Sequence, residues 1–599
     1  MSKADSYHEE EVLGKAYDAR LMKRLLRYIK PYKWVLVLAI LALLFNAIFQ
    51  TSLAFITKWG IDKNIMAGKM EGFKLLALAY LGVVVLLLGS TYTQIYVTMW
   101  LGQKVQNDIR MEIFHRLQKL HLGFYDKNPV GRLVTRVTND VNTLNELFSS
   151  GVVNIIGDIL MLVFFVAALF YVNWKLALIT FISLPLLLLA TFIFRAKARN
   201  AYRIVRLKIA RINAFAQEHL SGINIIQLFT REDITLNKFD GINRELRSAH
   251  FRSVIYYAVF YPVVEIISAF SVGLLFYYGG KMIHMHTLSF GDLVLFIYLV
   301  ERFFHPIRDL SEKYNILQAS MASSERIFKL LDTPPLIVDQ PSTKIPSKFM
   351  GRIKFNHVWF AYDSDNWIIK DVSFSVAPGE KVAIVGATGA GKTSLISLLY
   401  RFYDYQKGSI TIDGIELKNY PLKQLRAHLG LVLQDVFIFS GDYARNIRLR
   451  DKSISNDTVK KALTRVGFDR FMEQYADKGI YTEVKERGAT LSTGQKQLLS
   501  FARALAFNPD ILILDEATSS VDSGTEILIQ QALDELLTNR TSIIIAHRLS
   551  TIEKADKIIV LHHGKVREMG NHEQLLKQKG IYYKLYQLQY KTQDIAMVS

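Results

Sequence analysis

Apolar residues in the first half of the chain fall in long runs, and in the second half in short clusters separated by glycine and charge. A helix needs about 20 apolar residues to cross the hydrocarbon core of a bilayer. Residues 34–56, 75–100, 152–171, 174–194, 254–278 and 290–304 read as six such spans. The sixth is the shortest and ends on Glu301 and Arg302. Only Val172 and Asn173 separate the third from the fourth, which predicts a tight hairpin. Ahead of the first span, residues 21–29 interleave apolar and basic positions. That pattern predicts an interfacial helix on the inner leaflet, with the chain turning into the membrane at Pro31.

From residue 351 the pattern changes. Short β-type runs such as 353–355 and 358–360 alternate with helical stretches, as in a soluble α/β domain. The polar, proline-containing stretch between them (Pro334, Pro335, Pro341, Pro346) marks a boundary. The predicted organisation is a membrane domain over 1–335, a linker over 336–350 and a second domain over 351–599.

Basic residues set the orientation. Lys104, Arg110, Arg116, Lys119, Lys127, Arg132 and Arg136 lie in the 101–150 connection, and Lys and Arg residues from Arg195 to Arg252 crowd the next long one. Both connections are expected in the cytoplasm, with the N-terminus and the second domain. They are too long for turns and helical in pattern. The spans should therefore continue into the cytosol as helices that close at bends near 124–131 and 214–223. The formal net charge of +19 fits basic cytoplasmic loops in a chain that is 50% hydrophobic. No zinc-finger, RNP or helix-turn-helix pattern supports a nucleic-acid partner. The absence of cysteine excludes a disulfide framework and suits a reducing compartment. Residues 1–20 are polar and charged, so no cleavable signal peptide is expected.

Asp158 and Glu265 are ionisable residues inside spans. Such groups are costly against lipid and are expected to face the protein interior. They serve either as cation-attracting groups in a substrate cavity or as hydrogen-bond partners of a neighbouring helix. The fifth span is rich in aromatics, including Tyr256, Tyr257, Phe260, Tyr261, Phe270 and Phe276.

The chemistry-bearing stretches lie in the second domain. Residues 386–393 fit G-x-x-x-x-G-K-[ST] between a strand-like run and a helix-like one. Gly386, Gly389 and Gly391 let backbone N–H groups turn inward around a phosphate, joined by Thr388 and Ala390 of the loop and Ser394 at the helix start. Lys392 would reach the β- and γ-phosphates and Thr393 would hold Mg²⁺. The buried run 511–514 ends in Asp515 and Glu516, one to hold Mg²⁺ through water and one to polarise the attacking water. His547 and Gln434 close two further apolar runs. Residues 491–495 (Leu-Ser-Thr-Gly-Gln) precede a helical pattern and offer a second phosphate-facing helix start.

This order of motifs resembles the ATP-binding cassette (ABC) transporters, in the exporter branch where a six-span domain precedes one nucleotide-binding domain. The implied fold is an N-terminal all-α six-helix transmembrane domain with long cytoplasmic extensions, fused to a C-terminal α/β P-loop ATPase domain. The resemblance implies ATP and Mg²⁺ as cofactors and assigns roles by position. Tyr362 stacks on adenine, and Gly386 to Ser394 form the Walker A loop. Gln434 senses Mg²⁺ and water. Ser492, Gly494 and Gln495 belong to the signature motif that meets ATP held by the opposite subunit. Asp515 binds the metal, Glu516 is the general base, Asp522 lies in the D-loop, and His547 is the switch histidine. The segment 482–488 resembles one that exporters place beside the helix bends.

Three departures from the family pattern stand out, one of them Lys485 in place of a usual glycine. Thr493 stands where the family usually has glycine, adding backbone restriction and bulk near a phosphate. Ser520 and Val521 replace a common Ala-Leu. An altered signature beside an intact Glu516 is what the competent chain of a heterodimeric half-transporter shows, so a heterodimer is favoured over a homodimer. The expected activity is ATP-driven export of hydrophobic or amphipathic compounds, with a lean towards cationic ones, from the cytoplasmic membrane. Lipid flipping is the alternative, followed by peptide export, an ATP-gated channel and a soluble ATPase acting on DNA or ribosomes.

Overall fold

The structure is a computed structural model. It describes residues 18–68, 72–339, 349–363, 366–472, 478–515, 523–546 and 549–588, with side chains at 305, 307–312, 315, 523, 549 and 550 outside that description. The chain divides into two compact units: Met1–Gln118 with Gly131–Thr333, and Lys119–Val130 with Pro334–Ser599.

The first unit is helical. Asp18 caps the opening helix Ala19–Ile29 by accepting from Arg20 N at 2.7 Å, and Leu25 and Ile29 are its buried positions. Arg20, Lys23 and Arg27 stay exposed, the two-faced pattern of an interfacial helix. A short 3-10 turn, Lys30–Tyr32, places Pro31 near its start, where a missing N–H costs nothing, and Lys33–Trp59 follows. The hairpin at 172–173 is set by Asn173, whose side chain accepts from Lys175 N and Leu176 N, both at 3.1 Å.

Five helices among the described residues are long and apolar enough to cross a membrane: Ala19–Ile65, Phe73–Lys119, Val130–Val172, Trp174–Ser221 and Glu232–His284. The sixth expected span, 290–304, opens the helix Phe290–Asp332 but is not among them. Asp292, Glu301 and Arg302 interrupt its apolar run. Its first turn is held by polar groups instead. Ser289 and Asp292 form a capping box, and Asp62 accepts from Ser289 Oγ at 2.6 Å and Gly291 N at 2.8 Å. Lys58 pairs with Asp292 at 2.5 Å.

The two bends differ in how well periodicity locates them. Lys119 ends one helix and Val130 begins the next, with the short helix Leu122–Lys127 between them. The second bend begins at the far end of the expected 214–223 and extends past it. The helix runs through 214 to Ser221, breaks at Gly222, gives a short helix Ile223–Leu228, and restarts at Glu232. Phe215 is buried and stacks on His219 with ring centroids 3.7 Å apart, so residues 214–221 have a packed face that keeps them helical.

The second unit carries two larger sheets. Trp367–Val376, Ile353–Ala361, Lys407–Ile412 and Ile415–Glu416 form an antiparallel one in that order. The other runs Lys565–Gly570, Lys557–His562, Lys381–Val385, Thr541–Ile545, Ile511–Asp515 and Leu429–Val432. It is parallel except for the antiparallel edge strand Lys565–Gly570. Successive side chains of a strand point to opposite faces. Ala383, Val385, Leu512, Leu514 and Ile544 enter one hydrophobic core, whereas Val382, Ile384, Ile511, Ile513 and Ile545 enter the other. Burial on both faces explains why these strands read as continuous apolar runs.

Candidate nucleotide site

Register places the chemistry at one edge of the parallel sheet. Ile545 is level with Ile384 on one side and with Asp515 on the other, and Val432 is level with Leu514. Val385, Asp515 and Val432 therefore close their strands at the carboxyl side of the sheet, where open α/β sheets bind ligands.

The phosphate loop joins the strand Lys381–Val385 to the helix Lys392–Leu399. Glycine is needed at Gly386, where a Cβ would lie 2.2 Å from Leu561 O, and at Gly391, which caps the helix at φ +102°. Ala390 N donates to Ala387 O at 3.1 Å, tightening the turn, while Thr388 and Gly389 are exposed at its crest. The Lys392 ammonium donates to Gly386 O at 2.7 Å and Ala387 O at 3.2 Å, so it lies back across the loop. Burial pushes it below the usual lysine range, and the nearby Asp515 carboxylate opposes that shift. A buried cation held by neutral carbonyls beside free helix N–H groups is a receptor for polyanions.

Thr393 is exposed at the same helix start, and Ser394 is buried with its Oγ 3.1 Å from the Tyr362 hydroxyl. Tyr362 is 44% exposed. Phe360 meets its ring edge-to-face at 4.7 Å and Tyr403 at 5.0 Å, which leaves an open side for a planar group. Asp515 is half-buried and Gln434 exposed at their strand ends. The hydroxyl of Thr393, the carboxylate of Asp515 and the amide oxygen of Gln434 are hard oxygen donors, the set that suits Mg²⁺ shared with phosphate. Among the described residues no three His, Cys, Asp or Glu cluster in a way that could hold a metal by themselves.

Ser492 caps the helix Thr493–Phe507. Its Oγ accepts from Gln495 N at 3.2 Å, and Gln495 Oε1 accepts from Ser492 N at 2.9 Å. Gly494 is buried behind them. Thr493 is the exposed first helical residue and has no positive φ. The backbone restriction expected of a β-branched residue there is absent, because this position is already helical. Its bulk at the surface remains. Glu516, Ser519, Ser520, Val521, Asp522 and His547 lie outside the described residues.

In the first unit, Asp158 pairs with Lys313 of another helix. It is therefore a neutralised interhelical partner and not an unpaired cation attractant. Glu265 is exposed and does not face the interior of this unit, contrary to the expectation. The aromatics near it divide. Phe260 is buried and stacks on Phe194 at 4.1 Å, whereas Tyr261, Phe270 and Phe276 are exposed.

Several residues that shape the site carry no local sequence signal. Arg503 donates to Asn446 O at 2.9 Å, and Asn446 exchanges two 2.8 Å bonds with the Phe439 backbone. Together they pin the segment after Gln434 from positions up to 69 residues away in sequence. Lys313 and Tyr403 likewise reveal themselves only through their partners.

Comparison with known proteins accounts for both units. Residues 36–307 match the ABC transporter transmembrane region and residues 369–519 the ABC transporter domain. The chain is 40% identical over 588 residues to the uncharacterized ABC transporter ATP-binding protein YknV of Bacillus subtilis, covering 98% of this chain and 97% of the relative. It is 36% identical to the probable multidrug resistance ABC transporter ATP-binding/permease protein YheH of Bacillus subtilis, over 87% of this chain and 77% of the relative. It is 33% identical to an ATP-dependent lipid A-core flippase of Syntrophus aciditrophicus, over 96% and 95%. A multi-pass membrane domain, an ATPase domain and full-length relatives agree: the chain belongs to the ABC transporter family, in which ATP hydrolysis is coupled to transport.

Proposed function

We propose that the chain is one half of a dimeric exporter that moves amphipathic small molecules out of the cytoplasm across the cytoplasmic membrane. The observation that carries this reading is the convergence of the phosphate loop, Asp515 and Gln434 on one sheet edge, in a chain that also holds the membrane helices.

In this reading Lys392 leaves its two carbonyl partners for the β- and γ-phosphates, and the N–H groups of Gly389 to Thr393 close around them. The adenine stacks on the open side of Tyr362. Thr393, Asp515 and Gln434 would hold Mg²⁺, which supplies charge neutralisation between the phosphates. Glu516 takes the proton of the attacking water, and His547 reports the γ-phosphate. Each nucleotide is completed by Ser492, Gly494 and Gln495 of the opposite subunit.

Thr493 supports a heterodimer. It adds bulk where a partner's phosphate would approach, while this chain's own Walker residues stay intact. For the cargo, the exposed aromatics Tyr261, Phe270 and Phe276 favour an amphipathic molecule. With Asp158 neutralised by Lys313, a preference for cations rests on Glu265 alone. Lipid flipping is the second reading, favoured by the relative named as a lipid A-core flippase.

The variant Glu516→Gln tests the assignment of the base. Nucleotide affinity should stay within about threefold while steady-state hydrolysis at this chain's site falls by at least about a hundredfold, the scale of a lost general base. Unchanged turnover would remove Glu516 from that role.

A further inference from the structure

The segment Lys119–Val130 interrupts two membrane helices in sequence yet packs within the nucleotide-binding unit. Its contacts fall beside the adenine platform. The Tyr403 hydroxyl donates to the Asp126 carboxylate, and Lys127 pairs with Asp363 at 3.2 Å. Asp363 is the residue after Tyr362. Two neighbouring residues of the bend thus meet the two edges of the Tyr362 surroundings. The bend's backbone also comes close, since a Cβ on Gly123 would lie 3.0 Å from Tyr403 Cε1.

The Tyr403 ring has a second role. It stands nearly perpendicular to the Tyr362 ring at 5.0 Å and 5.7 Å from Phe360, while the Tyr362 hydroxyl is within 3.1 Å of Ser394 in the phosphate-loop helix. Burial and the Asp126 carboxylate push the Tyr403 hydroxyl far above the usual tyrosine range, so it stays protonated and keeps donating. A hydrogen bond to a carboxylate is short and directional, whereas Lys127 and Asp363 are both well exposed and screened. Of the two ties, the one through Tyr403 can report a small change in ring position.

We propose that Tyr403 is a positioning residue that couples base occupancy at Tyr362 to the first interhelical bend through Asp126. This rests on the reading of Tyr362 as the adenine platform. A purine stacked on the open side of Tyr362 shifts that ring against its neighbour Tyr403. The hydroxyl then carries the displacement to Asp126 without a covalent link.

The chain has no native cysteine, so Val130→Cys, exposed at the end of the bend, supplies a single site for a nitroxide label. The full-length dimer in lipid nanodiscs is titrated with the non-hydrolysable analogue AMP-PNP, and both affinity and label response are recorded. Tyr403→Phe keeps the ring and removes only the hydroxyl. It should bind AMP-PNP within twofold of the parent while its label response falls at least threefold. Asp126→Asn retains an accepting oxygen and should respond like the parent; Asp126→Leu should behave like Tyr403→Phe. A parental response in Tyr403→Phe, a lost response in Asp126→Asn, or no response in the parent each overturns the proposal. Tyr362→Ala separates the underlying reading. If it binds AMP-PNP as tightly as the parent, the adenine platform is misassigned whatever Tyr403 does.

Discussion

At the scale of single residues, the nucleotide site depends on a few positions with sharply different demands. Lys392 is buried, charged and held by two carbonyls, so a triphosphate offers it much the stronger partner. Lys392→Ala should weaken ATP binding at least about tenfold, as expected for losing one charge-assisted contact of about 1.5–3 kcal/mol. A fluorescent nucleotide titration checks this, and an unchanged affinity would place the phosphates elsewhere. The loop motif made these residues legible, because spaced glycines and a lysine at a helix start seldom coincide without a phosphate to bind. Thr493 shows the limit of such reading. Its identity was visible, but whether it strained the backbone depended on a helical φ that only the structure shows. Asp158 meets the same limit: a cavity role and a partner on a neighbouring helix were both open, and the structure shows the partner. Its partner Lys313 lies 155 residues away, and nothing in either local pattern pairs them.

At the scale of elements, apolar periodicity located the long helices because a membrane-spanning run needs no partner to be recognised. The second bend falls at the far end of the expected 214–223, because Phe215 stacks on His219 and the helix runs on to Ser221. Interhelical joints are also invisible to periodicity, and one of them makes a stability test. Asp140 is buried and takes a bidentate pair from Arg326, with Nε at 3.0 Å and a second nitrogen at 2.5 Å, plus a bond from Ser323 Oγ at 3.0 Å. Asp140→Ala leaves the guanidinium without its carboxylate and should cost about 3 kcal/mol, near the low end for a broken buried pair because Arg326 keeps some exposure. A clearly lowered apparent melting temperature in detergent is the expected sign. Adding Arg326→Leu should restore much of it, since the two residues act as one unit. Additive losses would show that the pair is not coupled.

At the scale of the whole molecule, the proposed assembly has the chain supply half of each site. The loop around Lys392 and the cap at Ser492 are both built, yet each is expected to meet its counterpart on another subunit. If Thr493 marks the chain as one member of a heterodimer, the chain purified alone should hydrolyse ATP weakly. Thr493→Gly should raise that activity severalfold, as judged by phosphate release. Strong hydrolysis by a homodimer of the unaltered chain, unaffected by Thr493→Gly, would favour self-assembly. What the sequence could not convey at this scale is that the segment 119–130 belongs with the nucleotide-binding unit, since that membership follows from contacts and not from hydropathy.

The central claim is that ATP turnover drives export, and inside-out vesicles test it most directly. Vesicles containing the assembled transporter are given ATP and Mg²⁺ on the outside together with a panel of lipophilic dyes, fluorescent lipids and peptides. At least one amphipathic dye or lipid should accumulate against its gradient, and Glu516→Gln should abolish that accumulation while leaving nucleotide binding intact. ATP hydrolysis without uphill movement of any of them, or a passive conductance that ATP merely opens, would contradict the account.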